Sequence, residues 1–535
     1  MHRGRRYDVI IVGGGPSGAV MGWALAARGL RVAIVDRARF PREKVCGDFV
    51  EPRGLRLFRT MGCLAALEAT HPLPITHASL FLGGRLAWGG RIPFYDGGAD
   101  LPPHGYIIPR EDLDHRLLNA AVDAGAELHE ACHVEFVERR RGAMWVRTRE
   151  GRGDGMLRAP LVVGADGAHS TVARCAGLYS YDPRHVAISQ RAYADGVTLG
   201  RGEAAFFFDL DLFPGYGWLF PIAGGRANVG VGILAETVDR CGISVRQLLQ
   251  DFLDTLRRTH PGCGGLRLAS KPIGGIVRTY GAAGPNHFDG GILVGDAGCF
   301  VDPMTGEGIT PAAESALLGA AVVAGALERG RADREFLRRY ERAFRAYFDP
   351  AMQYLDFCAC LMRNRRLGEF WIRAVTRGCE LASADADFAR VSGATFGGMD
   401  VRPLAIAAQL WTKAAAQCLT QSGRIATELI SGRSARLRAA IADFGHLQAG
   451  WWTSWVDDPV WHARWVTDVG RKWLGLMRAS ALRDPRKAGP VELQPAERRD
   501  QRERVRVLRT SRSNPSGRGA TRTASASASA ARRSR

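Results

Sequence analysis

Three glycines dominate the start of the chain. Gly13, Gly15 and Gly18 lie in Gly-Gly-Gly-Pro-Ser-Gly, between an apolar run over 7–12 and an Ala- and Leu-rich stretch over 19–28. The spacing predicts a strand, a tight turn and a helix that ends at Gly29. A second strand follows over 31–35, with Asp36 at its end. Glycine suits the turn, the approach of a pyrophosphate and the packing of helix on strand. The start of the helix offers free N–H groups and about half a positive charge to phosphate. Asp36 would accept ribose hydroxyls and repel a 2′-phosphate. The unit therefore predicts a dinucleotide site and disfavours NADP there.

Two later segments bear on which dinucleotide. Gly164-Ala-Asp166-Gly167 follows a short apolar strand. Gly291-Ile-Leu-Val-Gly295-Asp296 follows another and leads into Asp302-Pro303-Met-Thr-Gly306-Glu-Gly308-Ile309. In this order the three elements resemble the flavoproteins that include the aromatic hydroxylases. The resemblance implies FAD. It places Asp166 near the pyrophosphate and Asp296 on the ribityl chain, beside Gly295 and Pro303. It also aims the backbone over 306–309, with Gly306, Gly308 and Ile309, at the flavin pyrimidine. Arg110, in Pro-Arg-Glu-Asp-Leu-Asp, matches a cofactor-contacting arginine of that group. Ser17, Arg37, Cys46 and Gly47 complete the expected cofactor set.

Two more segments narrow the resemblance. Pro41-Arg-Glu-Lys-Val-Cys46-Gly47-Asp48 and Tyr216-Gly-Trp218-Leu-Phe220-Pro221 resemble geranylgeranyl reductase-like flavoproteins, Asn228-Val-Gly-Val-Gly232 continues the match, and the resemblance covers roughly residues 5–350. The first segment implies that Cys46 lies close to the reactive face of the flavin. The second implies that Tyr216, Trp218 and Phe220 line the substrate cavity. The chain departs from that family's pattern at Asp48, where a second glycine is common, and at Ile222, where a basic residue is common. Its proline is at 214, one place later than in the family. A substrate other than a geranylgeranyl lipid is compatible with these departures. Alkene reduction needs a hydride from flavin and a proton for the other carbon, and Cys46 is the candidate to position or deliver it. The plainer reading makes Cys46 a small buried hydrophobe and Trp218 and Phe220 ordinary sheet core. A hydroxylase using oxygen on a small or polyketide-like molecule is the alternative function. A halogenase is less favoured, because Tyr216 and Phe220 replace the Trp and Ile of the Trp-x-Trp-x-Ile-Pro motif. A third view, a binding protein that keeps FAD for structure, fits the intact cofactor set poorly.

The expected architecture is α/β: a Rossmann-like FAD-binding domain over 1–70, 109–185 and 275–335, with an inserted antiparallel substrate sheet over 71–108 and 186–274. A helical region over 336–482 and a disordered basic tail over 483–535 follow. The helical region holds eight of the twelve tryptophans. They read either as packing for a helical core, the favoured view, or as anchors at a membrane surface. The net charge of +19 is uneven: residues 502–535 carry ten Arg and one Glu. The body is only mildly basic, so specific nucleic-acid binding is not expected. Eleven scattered cysteines without a CxxC pair suggest a reduced, cytoplasmic protein with no metal, and peripheral membrane attachment stays open. The basic start of the chain imitates a signal peptide, but Asp8 and the glycines interrupt it. No second GxGxxG marks a nicotinamide domain, so NAD(P)H or another donor would reach the flavin transiently.

Overall fold

Short runs of Val, Ile and Leu build the central sheet of the computed structural model, which describes residues 7–92, 101–151, 153–200, 202–396 and 435–481. Gly291–Leu293, Leu161–Gly164, Val9–Val12, Val32–Val35 and Glu127–His129 lie side by side and parallel in that order. His287–Phe288 closes one edge antiparallel. Val9–Val12, Val32–Val35 and Leu161–Gly164 are buried at every position, as parallel strands covered on both faces require.

Helix α1 (Pro16–Ala26) starts with proline in its first turn, where a missing N–H costs nothing. It lies close on the sheet because Gly22 has no Cβ; one would stand 2.5 Å from Ile34 Cδ1. Helix α2 (Arg110–Asp123) ends before Gly125. Helix α3 (Ile309–Glu328), rich in Ala and Gly, packs beside α1, and a Cβ on its Gly319 would stand 3.0 Å from Met21 Cε. Among the described residues α3 alone has the length and hydropathy to cross a membrane, and most of it is buried in this core. Helix α4 (Arg334–Met362) covers α3 with Phe336, Tyr340, Phe344 and Phe348.

A second, eight-stranded sheet is formed mainly by His77–Leu82, Val186–Asp195, Glu203–Phe208, Tyr216–Ile222, Arg226–Leu234 and Ile273–Arg278. It is antiparallel except where Glu203–Phe208 runs parallel to His77–Leu82. Helix Val245–Thr259 covers its outer face through Leu249, Phe252 and Leu256. Sequence reasoning missed a three-stranded meander over Cys132–Arg140, Ala143–Glu150 and Gly153–Ala159.

Beyond α4, helices α5 (Ala435–Asp457) and α6 (Pro459–Ala481) follow one another closely. α6 is tied to α4: Trp465 Nε1 donates to the Cys360 carbonyl at 2.8 Å, and Lys472 pairs with Asp356. Asp468 takes Arg184 at 2.7 Å and Arg363 at 3.2 Å. The tryptophans of α5 and α6 pack a helical core only in part, and Trp411 lies outside the described residues. Trp465 is buried and Trp461 half-buried, whereas Trp451, Trp452, Trp455 and Trp473 are exposed. Ion pairs and hydrogen bonds help fasten the inner faces of these helices, and Trp451 and Trp455 pack edge-on against His462 at 4.4 and 5.2 Å between centroids while part of each ring stays outside. The expected basic tail at 483–535 falls outside the described residues.

Candidate active site

A cavity of about 550 Å³ runs from the carboxyl ends of the parallel strands to the second sheet. One end is the glycine turn. Gly13 has φ +105°, and a Cβ there would stand 2.3 Å from the Ala165 carbonyl. A Cβ on Gly18 would stand 1.8 Å from the Gly13 carbonyl. Both positions need glycine for the fold itself. Gly15 is different: its nearest neighbour would be Arg42 Nη2 at 3.6 Å, so the protein leaves that space open. Gly15 caps α1 with no side-chain hydrogen bond, and no acidic residue occupies the first turn. Backbone N–H groups at that helix start are therefore available to an anion.

Asp36 stands beside the turn. Its carboxylate accepts the N–H of Gly14 at 2.7 Å and that of Ala38 at 2.8 Å. Four cations, Arg37, Arg42, Lys44 and Arg110, join it on the cavity wall. Arg110 is buried and makes paired 2.8 Å bonds to Asp114, and Arg42 reaches the same carboxylate at 3.0 Å. Asp114 thus fixes two guanidinium groups with one side chain. Sequence reasoning missed it, although its i+4 spacing from Arg110 within the quoted motif was the available signal.

The other predicted cofactor residues divide. Ser17, Cys46, Gly47, Asp166, Asp296, Pro303, Gly306, Gly308 and Ile309 line the cavity with Gly13, Gly15, Asp36, Arg37 and Arg110. Gly18 and Gly295 stand behind the wall; a Cβ on Gly295 would meet Ser17 Oγ at 2.6 Å. The Asp166 carboxylate is engaged by Ser170 Oγ at 2.5 Å and by the N–H groups of Thr171 at 2.7 Å and Val172 at 3.1 Å. It holds the start of a short helix within its own loop. Asp296 pairs with Lys44 at 3.5 Å.

Gly306, with φ +71°, turns the chain into α3, whose first residues meet the cavity. Asp302 shapes that turn by accepting Met304 N–H at 2.7 Å and Thr305 N–H at 2.9 Å. The helix end is shared with a group that sequence reasoning did not single out. Glu307 accepts Thr310 N–H at 2.8 Å, and burial holds its carboxyl well above the usual range.

The far end of the cavity is aromatic. Tyr216, Trp218 and Phe220 alternate along one strand, so all three project from the same face into the cavity. Phe206 packs against Phe220 at 5.1 Å between ring centroids and against Tyr216 at 6.1 Å. Gly230, opposite Trp218, leaves room for the indole; a Cβ there would stand 2.3 Å from Trp218 Cζ2.

Between the two ends lies the loop over 41–48, and the second sheet holds it in place. Arg191 donates to Glu43 at 2.9 Å and to the Lys44 carbonyl at 3.0 Å. Asn228 Nδ2 donates to the Cys46 carbonyl and to Asp48, each at 2.8 Å. Tyr193 OH donates to Asp48 Oδ2 at 2.8 Å, and Trp218 Nε1 donates to Asn228 Oδ1 at 2.9 Å. Asp48 has φ +65°, the left-handed conformation that explains why glycine suits this position. The strain of a non-glycine residue there costs about 1–2 kcal/mol, which the two hydrogen bonds offset. Burial raises Asp48 to about 6 against the pull of Arg191. Burial also raises the Cys46 thiol, while Arg110 beside it pulls the other way. Cys46 is therefore a neutral thiol facing the cavity. Arg191 and Tyr193 carry no motif, and Asn228 opens the Asn228-Val-Gly-Val-Gly232 stretch; all three lie more than 140 residues from the loop.

The donor set fits FAD. It supplies an open Gly15, an uncapped helix start, four cations and the Asp36 carboxylate beside the glycine turn in one cavity. Among the described residues no group of three or more His, Cys, Asp or Glu is arranged to hold a metal ion.

Comparison with known proteins agrees. Residues 6–190 match the FAD binding domain family. A menaquinone reductase of Mycolicibacterium smegmatis is 33% identical over 325 residues, spanning 59% of this chain and 76% of the relative. Digeranylgeranylglycerophospholipid reductase 2 of Methanopyrus kandleri is 31% identical over 361 residues, spanning 65% of this chain and 84% of the relative. In fold, the chain is similar to a geranylgeranyl bacteriochlorophyll reductase-like protein from Thermoplasma acidophilum. The TM-score is 0.59 at 22% identity, over 68% of this chain and 88% of that one. With the cofactor cradle, the cysteine loop and the aromatic wall in one cavity, the chain belongs to the geranylgeranyl reductase-like family of FAD-dependent oxidoreductases.

Proposed function

We propose that the protein reduces carbon–carbon double bonds of an isoprenoid or similarly apolar small molecule. The observation that carries this reading is the placement of Cys46 and the aromatic wall of Tyr216, Trp218 and Phe220 on one cavity with the FAD cradle. Bound FAD, once reduced, supplies the hydride. NAD(P)H or another donor would be its reductant, reaching it transiently because no second GxGxxG occurs in the sequence. The chain's own residues do the rest. Gly15, the start of α1, Arg42 and Arg110 bind the pyrophosphate, and Asp36 takes the ribose. Tyr216, Trp218 and Phe220 exclude water and lay the polyene flat. The neutral Cys46 thiol gives its proton to the second carbon of the alkene. Asp48 and Asn228 hold that cysteine's backbone in place. All ten described cysteines are free, which suits a reducing cytoplasm.

The test is a single anaerobic turnover. Reduced protein is mixed with a geranylgeranyl lipid, which has no quinone ring to take the two hydrogens, flavin absorbance is followed, and the product is weighed. The reading expects flavin reoxidation without oxygen and a product heavier by two hydrogens. A product that forms only in air and gains an oxygen atom assigns the site to hydroxylation instead.

A further inference from the structure

The outermost helices carry an apolar face that the catalytic reading does not use. On α5, Ile441, Phe444, Trp451, Trp452, Trp455 and Val456 are all exposed, Phe444 by 63% and Trp452 by 59%. At 100° per residue they fall within an arc of about 140°. The opposite side of the helix is the inner one: Gly450 and Ser454 are buried there, and Ser454 Oγ bonds Asn364 at 3.0 Å. On α6, Val466, Trp473, Leu474 and Met477 are exposed likewise. A water-soluble surface rarely shows so many large apolar side chains together.

The charges around this face have one sign. Three acidic side chains on the two helices, and Asp458 between them, are each paired with an arginine of the body. Asp443 meets Arg373 at 3.7 Å, Asp457 meets Arg366 at 2.5 Å, Asp458 meets Arg240 at 3.0 Å, and Asp468 meets Arg184 at 2.7 Å. Arg438, Arg464 and Arg471 are exposed on the same helices. The sequence that follows adds ten arginines over 502–535.

The face also borders the candidate active site. Trp473 packs on Phe357 at 5.4 Å between centroids. Leu476 is buried with Tyr354, Leu355 and Phe357, and Met304, a cavity-lining residue, packs against that group.

We propose that the outer face of α5 and α6 seats on an anionic lipid bilayer. Its tryptophans would lie at the headgroup level and its arginines against the lipid phosphates. The seat rests on the proposed apolar substrate only for its purpose, which is to let a membrane-dissolved molecule reach the cavity past Met304 without crossing water.

The experiment uses the full-length, FAD-loaded protein. It is sedimented with vesicles of phosphatidylcholine alone or mixed equally with phosphatidylglycerol, beside the triple variant Phe444→Ser, Trp452→Ser and Trp455→Ser. These side chains are exposed, so flavin content and melting temperature should match the wild type. The expected result is binding to the mixed vesicles, weakened at least tenfold in the variant, with wild-type tryptophan fluorescence quenched by brominated lipid. Equal binding by variant and wild type, or no binding by either, overturns the proposal. So does a fall from dimer to monomer in the variant on light scattering, which would give the face to a second copy. Absence of quenching overturns it too. Sedimentation needs no turnover. A protein that ignores vesicles but reduces detergent-dissolved substrate refutes the seat and leaves the reductase reading standing. The reverse pattern refutes only the latter.

Discussion

Asn228 Nδ2 lies 2.8 Å from Asp48 Oδ2 and 2.8 Å from the Cys46 carbonyl oxygen, so one amide of the second sheet holds both ends of the Cys46-Gly47-Asp48 turn. Its own oxygen receives Trp218 Nε1. The amide therefore couples the cysteine loop to the aromatic wall.

Replacing that amide should be felt at both. Asn228→Leu leaves a buried carboxylate and a buried indole N–H each short of a partner, at about 1–3 kcal/mol apiece. We expect a clear fall in melting temperature by calorimetry, with a KM increase for the apolar substrate larger than any change in FAD affinity. An unchanged KM would separate Trp218 from substrate binding.

The glycines of the first turn should differ in how they fail. Gly15→Ala has room in the protein. It should fold with a near-normal melting temperature yet purify with little flavin, read from visible absorbance. Gly18→Ala places a methyl 1.8 Å from a backbone oxygen. It should fail to yield soluble protein. Flavin retained in Gly15→Ala would show that the open space beside Gly15 is not needed by the pyrophosphate.

Asp48 gives a pH signature whose sign is fixed. Its carboxyl is raised from 3.8 to about 6 by burial, so between those values the folded state binds more protons than the unfolded one. Stability from this group is present below about pH 4 and is lost as pH rises to about 6, on the order of 3 kcal/mol. Glu307 and other buried acids add slopes of their own. The informative quantity is therefore the wild type minus Asp48→Asn, an asparagine that also tolerates the left-handed backbone. Urea denaturation at several pH values between about 4 and 7 should show that difference falling across the window. A flat difference would remove Asp48 as a buried titrating group.

Cys46→Ala separates proton delivery from packing. If the thiol supplies the proton, kcat should fall by about 10²-fold or more while flavin content and the rate of flavin reduction by donor stay near wild type. Turnover within a factor of about two of wild type would make Cys46 a wall residue.

The strand, turn and helix around Gly13–Gly18 were legible because each signal is local: apolar runs, glycine spacing and an acid at a strand end. The sharing of the α3 end by Glu307 was not, since motif position alone does not say whether a side chain turns inward. Arg191 and Tyr193 were invisible for a related reason, and Asn228 was legible as the start of a family-like stretch but not as the partner of the cysteine loop. Each is an ordinary strand residue whose partners lie far away in sequence, and only the pairing of Val186–Asp195 with Arg226–Leu234 brings them to the loop. The tryptophans misled because composition counts aromatic rings without saying which side of a helix they occupy. Asp114 was within reach, being one helical turn from an arginine already singled out.

The order of the central sheet has a consequence for biosynthesis. Val9–Val12 lies between Val32–Val35, which leaves the ribosome almost at once, and Leu161–Gly164, about 125 residues later. At roughly 5–20 residues per second, one edge of the most apolar strand waits roughly 6 to 25 seconds for its partner. Throughout that interval the nascent chain presents a bare template for wrong pairing. Its production therefore depends on how well the cell shields an unfinished sheet while translation is still running.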